Sequence, residues 1–382
     1  MQSAVTYLKS WFGRFEAVNQ RRPDPVLWLP AAALLMFGCL MVLNTTYFLG
    51  QEKTGDAFHF FKLHLAHVAA GLVLLIMLSQ FSLRGLRRLV IPLAIVSVLM
   101  LVALYIPGLG IVKGGARRWL RLGPFLCEPV ELVKFALVFF LADFLCKRHE
   151  RMRSFEQGLL PAFLCVAPVA VMVLKQPDLG NTVMMALVLF AMLYAAGARI
   201  KHLSAAGGVA LCVLLLQTWA RSYRMRRVTA FLDPWQTARG AGFQLMQSFI
   251  ALGAGGGWGV GIGAGRQKMY FLPQAHTDFI FAVVGEEFGL LGAAAVVALF
   301  CVILFRGMKI AHDEPDIFAS LLAVGLTASL SFQALINMAV VIGLIPTKGL
   351  PLPFLSYGGT AIMMSMAALG ALLALGRRPA VR

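Results

Sequence analysis

The chain has 382 residues, of which 59% are hydrophobic and only 13% are charged, and its formal net charge at pH 7 is +17. Soluble domains are about 45–50% apolar and about 25% charged, so this chain has too few charged residues for a water-soluble surface. A soluble enzyme and an intrinsically disordered chain are therefore excluded. A transmembrane β-barrel is excluded too, because its strands alternate in polarity, whereas the apolar segments here are long and continuous.

Ten apolar segments are candidate membrane spans, because a transmembrane helix needs roughly 20 predominantly apolar residues. The fold class that they predict is an all-α integral membrane protein with about ten transmembrane helices. The segments cover residues 26–48, 58–80, 88–107, 129–147, 158–175, 179–197, 202–220, 278–306, 316–345 and 354–376.

The distribution of Lys and Arg predicts the orientation of these spans. With the N-terminus inside, the short inner segments carry 18 of the 34 basic residues, as the positive-inside rule requires. We therefore predict one polytopic membrane domain with both termini in the cytoplasm. The predicted ranges are 1–25 for a cytoplasmic amphipathic segment, 26–376 for the membrane domain, 377–382 for a short tail, and about 108–128 and 221–277 for two long outer loops.

The two long outer loops carry 11 Lys and Arg residues, against the usual bias. Two interpretations are open. The cations bind an anionic group outside the membrane, or they anchor a solvated loop to lipid headgroups. The six cysteines and the His64/His67 pair lack the spacing of a metal-binding motif, so we predict free thiols and no protein metal site.

Ionisable residues inside spans are costly and suggest function. Glu131 and Lys134 are three residues apart in the fourth span and can pair on one helix face. The pair either shapes a cavity or meets substrate, or it is a structural pair at the interface. Asp143 and Lys147, at the inner end of the same span, are interpreted as a structural pair.

Asp278 lies where the long outer loop enters the eighth span. Its carboxylate could cap the helix N-terminus, or it could serve as a base or metal ligand at the membrane surface beside His276. Glu286 and Glu287 are about 12–13.5 Å further along the helix axis, too far to form an acid/base pair with Asp278. We expect them to bond across helices near the small residues Gly285 and Gly289.

The glycine-rich stretch 253–265 follows no predicted strand and contains no P-loop motif, which argues against an ATP-driven pump of that class. We interpret it as a flexible surface or re-entrant loop. Its backbone N–H groups, with Arg266 and Lys268, are candidates for binding a phosphate.

Seven motifs, in this order along the chain, together resemble those of the SEDS family (shape, elongation, division and sporulation). Within that family, Arg117-Arg118-Trp119 and Thr347-Lys348-Gly349 are more similar to the division branch (FtsW-like) than to the elongation branch. The motifs are Gly115–Leu120 with Leu122–Pro124; Pro129, Glu131 and Lys134; Gln176–Gly180; Phe231–Trp235; Gly265–Lys268; Ala275–Ile280; and Lys348–Phe354 with Ser356–Gly359.

Several positions depart from the family pattern, and they put in doubt any role assigned to the side chains that are replaced. Glu128 and Val130 stand where the family usually has Gln and Ser. The other departures are Asn181 for Thr or Ser, Gln274 for Glu, and Thr360-Ala361 for two serines.

The resemblance implies a peptidoglycan glycosyltransferase that polymerises lipid II on the outer face of the plasma membrane, at the division septum. The family's aspartate falls on Asp278, which would act as general base while undecaprenyl pyrophosphate leaves. The resemblance implies no tightly bound cofactor, although a divalent cation (Mg²⁺ or Mn²⁺) could accompany the pyrophosphate. The substrate-binding candidates are Glu131, Lys134, Arg117, Arg118, Gln176, Asp178, Arg266, Lys268, His276, Thr277, Lys348 and Ser356.

Two other classes of function remain open, namely a flippase that moves lipid II and a non-catalytic scaffold that recruits a transpeptidase. A flippase should line a path through the bilayer with polar residues, but the polar motifs cluster on the outer side, which favours chemistry there. The resemblance also implies a class B penicillin-binding protein and other division-complex membrane proteins as partners. No nucleic acid partner is expected.

Overall fold

The structure is a computed structural model that describes residues 23–113, 116–123, 125–219 and 222–377. Nearly all of the predicted amphipathic segment and of the predicted tail lie outside these ranges. Within them the chain folds into 13 α-helices and one small sheet. The helices are α1 Pro25–Thr54, α2 His59–Ser79, α3 Leu83–Arg88, α4 Val90–Ala103, α5 Pro129–Lys147, α6 Leu160–Lys175, α7 Leu179–Ala195, α8 Ile200–Trp219, α9 Ser222–Leu232, α10 Phe243–Gly255, α11 Ile280–Asp313, α12 Ile317–Val341 and α13 Gly359–Gly376.

Each of the ten predicted apolar segments coincides with a helix or with two consecutive helices, so the predicted fold class is confirmed. In the described part of the chain, eight helical stretches are long and apolar enough to cross a membrane. The remaining two predicted spans are α5, which carries four charged residues, and α7, which is 17 residues long. The protein is a multi-pass membrane protein.

The centre of the bundle is formed by α12 and α13. Helix α12 packs against α5, α7 and α11, and α13 packs along α2. Both central helices bury most of their residues. Helix α8, by contrast, buries none of its residues, which suits a helix whose apolar side chains face lipid on nearly every side.

Aspartates fix where several helices begin, because their carboxylates accept the otherwise unpaired N–H groups of the first turn. Asp24 accepts from Val26 N at the start of α1, and Asp316 accepts from Ala319 N at the start of α12. Asp178 does the same for α7, through Asn181 N at 3.2 Å. This last cap holds a candidate functional residue at the end of the helix bundle.

Both long segments that are predicted to lie outside contain regular structure that the sequence did not predict. The first forms a three-stranded antiparallel sheet from β1 Gly110–Lys113, β2 Ala116–Leu122 and β3 Phe125–Cys127. Side chains alternate across β2, so Arg118 lies on the same face as the buried Leu120, whereas Arg117 is exposed. The second segment contains α9 and α10. Residues 354–358, which were predicted to be helical, instead lie in the loop that precedes α13.

A glycine interrupts α11, and the glycine-rich stretch 253–265 is hydrogen-bonded to the helix at this interruption. Gly289 has φ 65° and ψ −162°, which breaks the helical hydrogen bonds around it. The carbonyls of Glu286 and Glu287 instead accept from Val260 N and Gly261 N, both at 3.0 Å. Segment 253–265 is therefore hydrogen-bonded to the break in α11 while most of its residues are exposed, so the predicted surface loop is confirmed and its flexibility stays a prediction.

Candidate functional site

The candidate site lies where the α12–α13 loop meets the segment that precedes α11. Asn337 joins the two by donating to the carbonyls of Asp278 and Leu350, at 2.8 and 2.7 Å. Ser356 joins them a second time, because its hydroxyl donates to Thr277 O at 2.6 Å and accepts from Leu352 N at 2.8 Å. These bonds fix the main chain on both sides of Asp278.

The carboxyl group of Asp278 is left available by this arrangement. No hydrogen bond to it is made within the described ranges, and the residue keeps part of its surface accessible although protein surrounds it. The first turn of α11 begins after Phe279 and receives no side-chain cap, so the interpretation of Asp278 as a capping residue is wrong. Gly349 lies against the carboxyl group, since a Cβ built on it would be 2.8 Å from Oδ2.

Desolvation by the surrounding protein raises the pKa of Asp278 to about 7. The positive charges of Arg227 and Arg118 oppose this shift, whereas the negative charge of Asp178 adds to it. Asp278 is thus a carboxyl group whose pKa lies near neutral pH, with the basic groups of Arg227 and Arg118 and the carboxylate of Asp178 nearby.

Arg118 and Asp178 form the second part of the site. The Arg118 guanidinium donates to Pro177 O at 2.6 Å and to Gln176 O at 3.4 Å, and its Nε lies 3.6 Å from Asp178 Oδ2. Gln176 and Asp178 are buried, and the Gln176 Nε2 has no hydrogen-bond partner among the described residues. The structure therefore brings Arg118, Gln176 and Asp178 together, as the motifs predicted.

Two further cations face this cluster. Burial lowers the pKa of Lys348, while the negative charge of Asp178 acts in the opposite direction. Arg227, on α9, donates to Thr347 O at 3.0 Å, next to Lys348 in the chain. Sequence reasoning counted Arg227 only as one loop cation among many. Its position on a basic helix in the outer segment was the only signal that could have singled it out.

Glu131 and Lys134 form a buried ion pair at 2.7 Å, as predicted from their spacing. Lys134 also donates to Gln333 Oε1 at 2.8 Å, and Gln333 Nε2 donates to Pro351 O at 2.9 Å. The pair therefore supports the loop that carries Gly349 and Lys348. These contacts account for a positioning role of Lys134.

Glu128 is a fourth carboxyl group in this region, and the sequence analysis treated it only as a departure from the family pattern. Desolvation raises its pKa to about 8, with the charges of Glu131 and Asp178 adding to the shift and those of Lys134 and Arg118 opposing it. Glu128 is thus neutral at pH 7. No sequence signal beyond the unusual residue type marked it.

Lys268 does not join the site. Its ammonium is buried against Glu287 at 2.6 Å and also donates to Asn44 Oδ1 at 2.6 Å. Glu286 and Glu287 accept the N–H groups of Arg266, Gln267 and Gly263. The anions bound by this loop are two carboxylates of the protein itself. The interpretation of Lys268 and these N–H groups as phosphate ligands is corrected accordingly, and the expectation that Glu286 and Glu287 bond across elements is confirmed.

The remaining candidates line the periphery or act through the backbone. The carbonyl of His276 accepts a hydrogen bond from Tyr357 N, and the centres of the two side-chain rings are 5.7 Å apart. The Thr277 hydroxyl donates to Gln274. Ser356 is buried with its hydroxyl used by the two loops, so its contacts are those of a positioning residue. Arg117 and Arg266 are exposed.

The described residues include no group of three or more His, Cys, Asp and Glu side chains placed to hold a metal ion.

This fold and site define a multi-pass membrane protein with a cluster of carboxyl and basic groups in the loops at one end of its helix bundle. Residues 25–379 match the family model FTSW_RODA_SPOVE, described as "Cell cycle protein". The chain thus belongs to the FtsW, RodA and SpoVE family, which confirms the resemblance to the SEDS proteins.

Relatives and solved structures agree with this assignment. The chain is 39% identical over 357 residues to the probable peptidoglycan glycosyltransferase FtsW of Geobacter sulfurreducens, covering 94% of this chain and 96% of that one. It is similar to a chain of a peptidoglycan synthase complex that coordinates polymerization and crosslinking, with TM-score 0.76, 29% identity, and coverage of 93% and 98%. The rod shape determining protein RodA of Thermus thermophilus gives TM-score 0.69 and 27% identity, with coverage of 94% and 98%.

Proposed function

We propose that this protein is a peptidoglycan glycosyltransferase that polymerises lipid II on the outer face of the plasma membrane during cell division. The observation that carries the proposal is the carboxyl group of Asp278, which is unpaired among the described residues and faces Arg118 and Arg227 at a loop junction. The names of the relatives support the reaction class.

In the proposed reaction, a hydroxyl group of the acceptor sugar attacks the anomeric carbon of the donor sugar. The new glycosidic C–O bond forms as the C–O bond to undecaprenyl pyrophosphate breaks, and the pyrophosphate leaves with the bonding electron pair. The hydroxyl proton passes to the Asp278 carboxylate. A base with a pKa of about 7 suits this step, because it is ionised in much of the protein at neutral pH and still binds a proton well.

Charge that develops on the leaving pyrophosphate needs cations that are already in place. Arg118, Arg227 and Lys348 are the basic side chains grouped around Asp178 and Asp278. The pyrophosphate is a good leaving group, so the scheme needs no strong general acid. We assign no tightly bound cofactor. A Mg²⁺ or Mn²⁺ ion in this scheme would be held mainly by the pyrophosphate oxygens.

We further propose that both termini lie in the cytoplasm and that the enzyme works at the septum with a class B penicillin-binding protein, which crosslinks the new glycan. The short, basic inner segments support the orientation. The similarity to a chain of a synthase complex that couples polymerization with crosslinking supports a transpeptidase partner.

The test is an assay of the purified full-length protein with its co-purified transpeptidase and labelled lipid II. We expect glycan chains, and we expect them to disappear with Asp278→Asn at an equal protein level. Asp56→Asn, which changes an exposed aspartate in the α1–α2 loop, is the matched control and should leave synthesis unchanged. Transfer of lipid II across a bilayer without chains would indicate a flippase, and neither activity would indicate a scaffold; each outcome contradicts the proposal.

A further inference from the structure

Glu128 carries a carboxyl group that the mechanism above does not use. It lies directly before α5, and its main-chain N–H donates to Thr360 Oγ1, next to the first residue of α13, at 3.0 Å. The backbone is therefore fixed where α5 meets α13. Within the described ranges no side chain or N–H group donates to its carboxyl oxygens, and the residue is only partly buried, so a ligand can reach it.

The cations near Glu128 already serve other carboxylates. Lys134 on α5 is paired with Glu131 at 2.7 Å, and Arg118 on β2 lies 3.6 Å from Asp178 at the start of α7. An ionised Glu128 would add a third negative charge that neither cation is free to balance. The neighbouring Cys127 thiol stays neutral, because burial raises its pKa. The arrangement therefore keeps Glu128 protonated at neutral pH, in agreement with its pKa of about 8.

The protonation state decides what this group can bind. A neutral carboxyl group donates one O–H hydrogen bond, whereas a carboxylate only accepts and repels other anions. A polyoxygenated, anionic ligand in the adjoining site offers acceptors to the neutral form. A glutamine at this position would also donate, through its amide, but would not titrate.

We propose that Glu128 contacts the substrate as a neutral acid, donating its O–H to a phosphate or hydroxyl oxygen of the lipid-linked sugar, and that its ionisation weakens substrate binding in alkaline solution. The proposal rests on the function proposed above, since it takes lipid II as the ligand. Glu128 then determines how strongly the substrate is held at a given pH.

The test measures binding of fluorescent lipid II to the purified full-length protein between about pH 7 and pH 9. At one pH unit above the pKa of about 8, only about one tenth of Glu128 remains protonated. If the protonated form alone binds, the apparent Kd is about tenfold larger at pH 9 than at pH 7. Every variant is measured with Asp278→Asn, because Asp278 also ionises in this pH range. In that background we expect Glu128→Gln to bring the ratio close to one. With Glu128→Ala we expect weaker binding already at pH 7, by several-fold, and little further change.

Glu52→Gln, at an exposed position near the end of α1, removes a carboxyl group away from the site and should keep the tenfold ratio. A tenfold ratio that persists in Glu128→Gln, or a Glu128→Ala variant that binds as the unchanged protein does at pH 7, would overturn the proposal. Because binding is measured directly, tight binding without glycan synthesis would contradict the proposed function and leave the inference about Glu128 standing. Absence of lipid II binding at any pH would overturn both.

Discussion

Gly349 lies so close to Asp278 that a methyl group on its α-carbon would be 2.8 Å from the carboxylate Oδ2. The two residues come from different loops, which Asn337 and Ser356 tie together through main-chain carbonyls and an N–H group. The α12–α13 loop therefore forms one wall around the proposed base, and the smallest side chain is needed where that wall touches it.

Replacing Gly349 by alanine should lower glycan synthesis about ten- to hundredfold, because displacement of a catalytic group by about 1 Å can cost about 100-fold. The fold should survive, since the clash is with the end of one side chain. The measurement is glycan synthesis at matched protein level and melting temperature. Gly240→Ala is the control, because its new methyl group would meet only an ordinary contact at 3.8 Å. Equal activity of the two variants would contradict the placement of Asp278.

Asp278→Ala and Asp278→Asn should each lower polymerisation by about two to four orders of magnitude, the usual contribution of a general base. The pH dependence gives a second readout. Burial raises the pKa of Asp278 to about 7, so the base form, and with it the rate, should increase as the pH rises through about 7. Residual activity of Asp278→Asn should lack this rise. Near-normal synthesis by the purified Asn variant would remove Asp278 from the mechanism.

Reversing the Glu131–Lys134 pair should restore insertion but not activity. Either single alanine substitution leaves a buried charge unpaired, at a cost of about 3–5 kcal/mol. Glu131→Lys with Lys134→Glu keeps the ion pair, yet places an acceptor where Gln333 Oε1 now receives a hydrogen bond. We expect the swapped protein to insert and to polymerise poorly. Full activity in the swapped protein would show that the orientation of the pair does not matter to the site.

Removing Lys268 alone should destabilise the protein, whereas removing the whole ion pair should be tolerated. Both Lys268 and Glu287 are buried, with side-chain exposures of 1% and 0%. Lys268→Met leaves Glu287 uncompensated, at about 3–5 kcal/mol, and adding Glu287→Leu should recover much of the melting temperature. Glycan synthesis by the stable double variant should persist. A stable double variant without activity would return Lys268 to the list of substrate ligands.

A cysteine introduced at Gln236 should react with an impermeant thiol reagent in intact spheroplasts after the native cysteines are removed. This outcome follows from the proposed orientation, in which the short basic segments are inside and residues 221–277 are outside. Gln157→Cys, exposed in the predicted inner loop, is the control and should react only after lysis. The reverse pattern would invert the proposed topology.

The spans were predictable from sequence because hydropathy acts over whole segments, and all ten expected spans coincide with helices. The Glu131–Lys134 contact was predictable for the same reason, since it is local to one helix. The small sheet was not predicted. Its strands are three to seven residues long. The longest, β2, holds three arginines, of which Arg117 and Arg118 are adjacent, so it lacks the alternation of polar and apolar residues by which a strand is recognised.

The burial of Lys268 could not be predicted from the sequence, because its partners belong to other elements. Asn44, on α1, is 224 residues away in the chain, and Glu287, on α11, is 19 residues away. The number of charged residues in a loop can be read from the sequence, but the ion pairs that neutralise some of them form only in the folded protein. Arg227 and Glu128 illustrate the opposite case. Their roles in the proposals above depend on charged neighbours from other elements, which a linear sequence does not bring together.

The break at Gly289 divides α11 into two parts. The first part, which begins beside Asp278, is hydrogen-bonded through Glu286 and Glu287 to the glycine-rich segment, and the second part continues as an ordinary helix to Asp313. Just beyond the break, Leu290 N and Leu291 N donate to the carbonyls of Gly256 and Gly257, at 2.9 and 3.3 Å. One segment therefore satisfies the backbone groups on both sides of Gly289, and it holds the two parts of α11 at a fixed angle to each other.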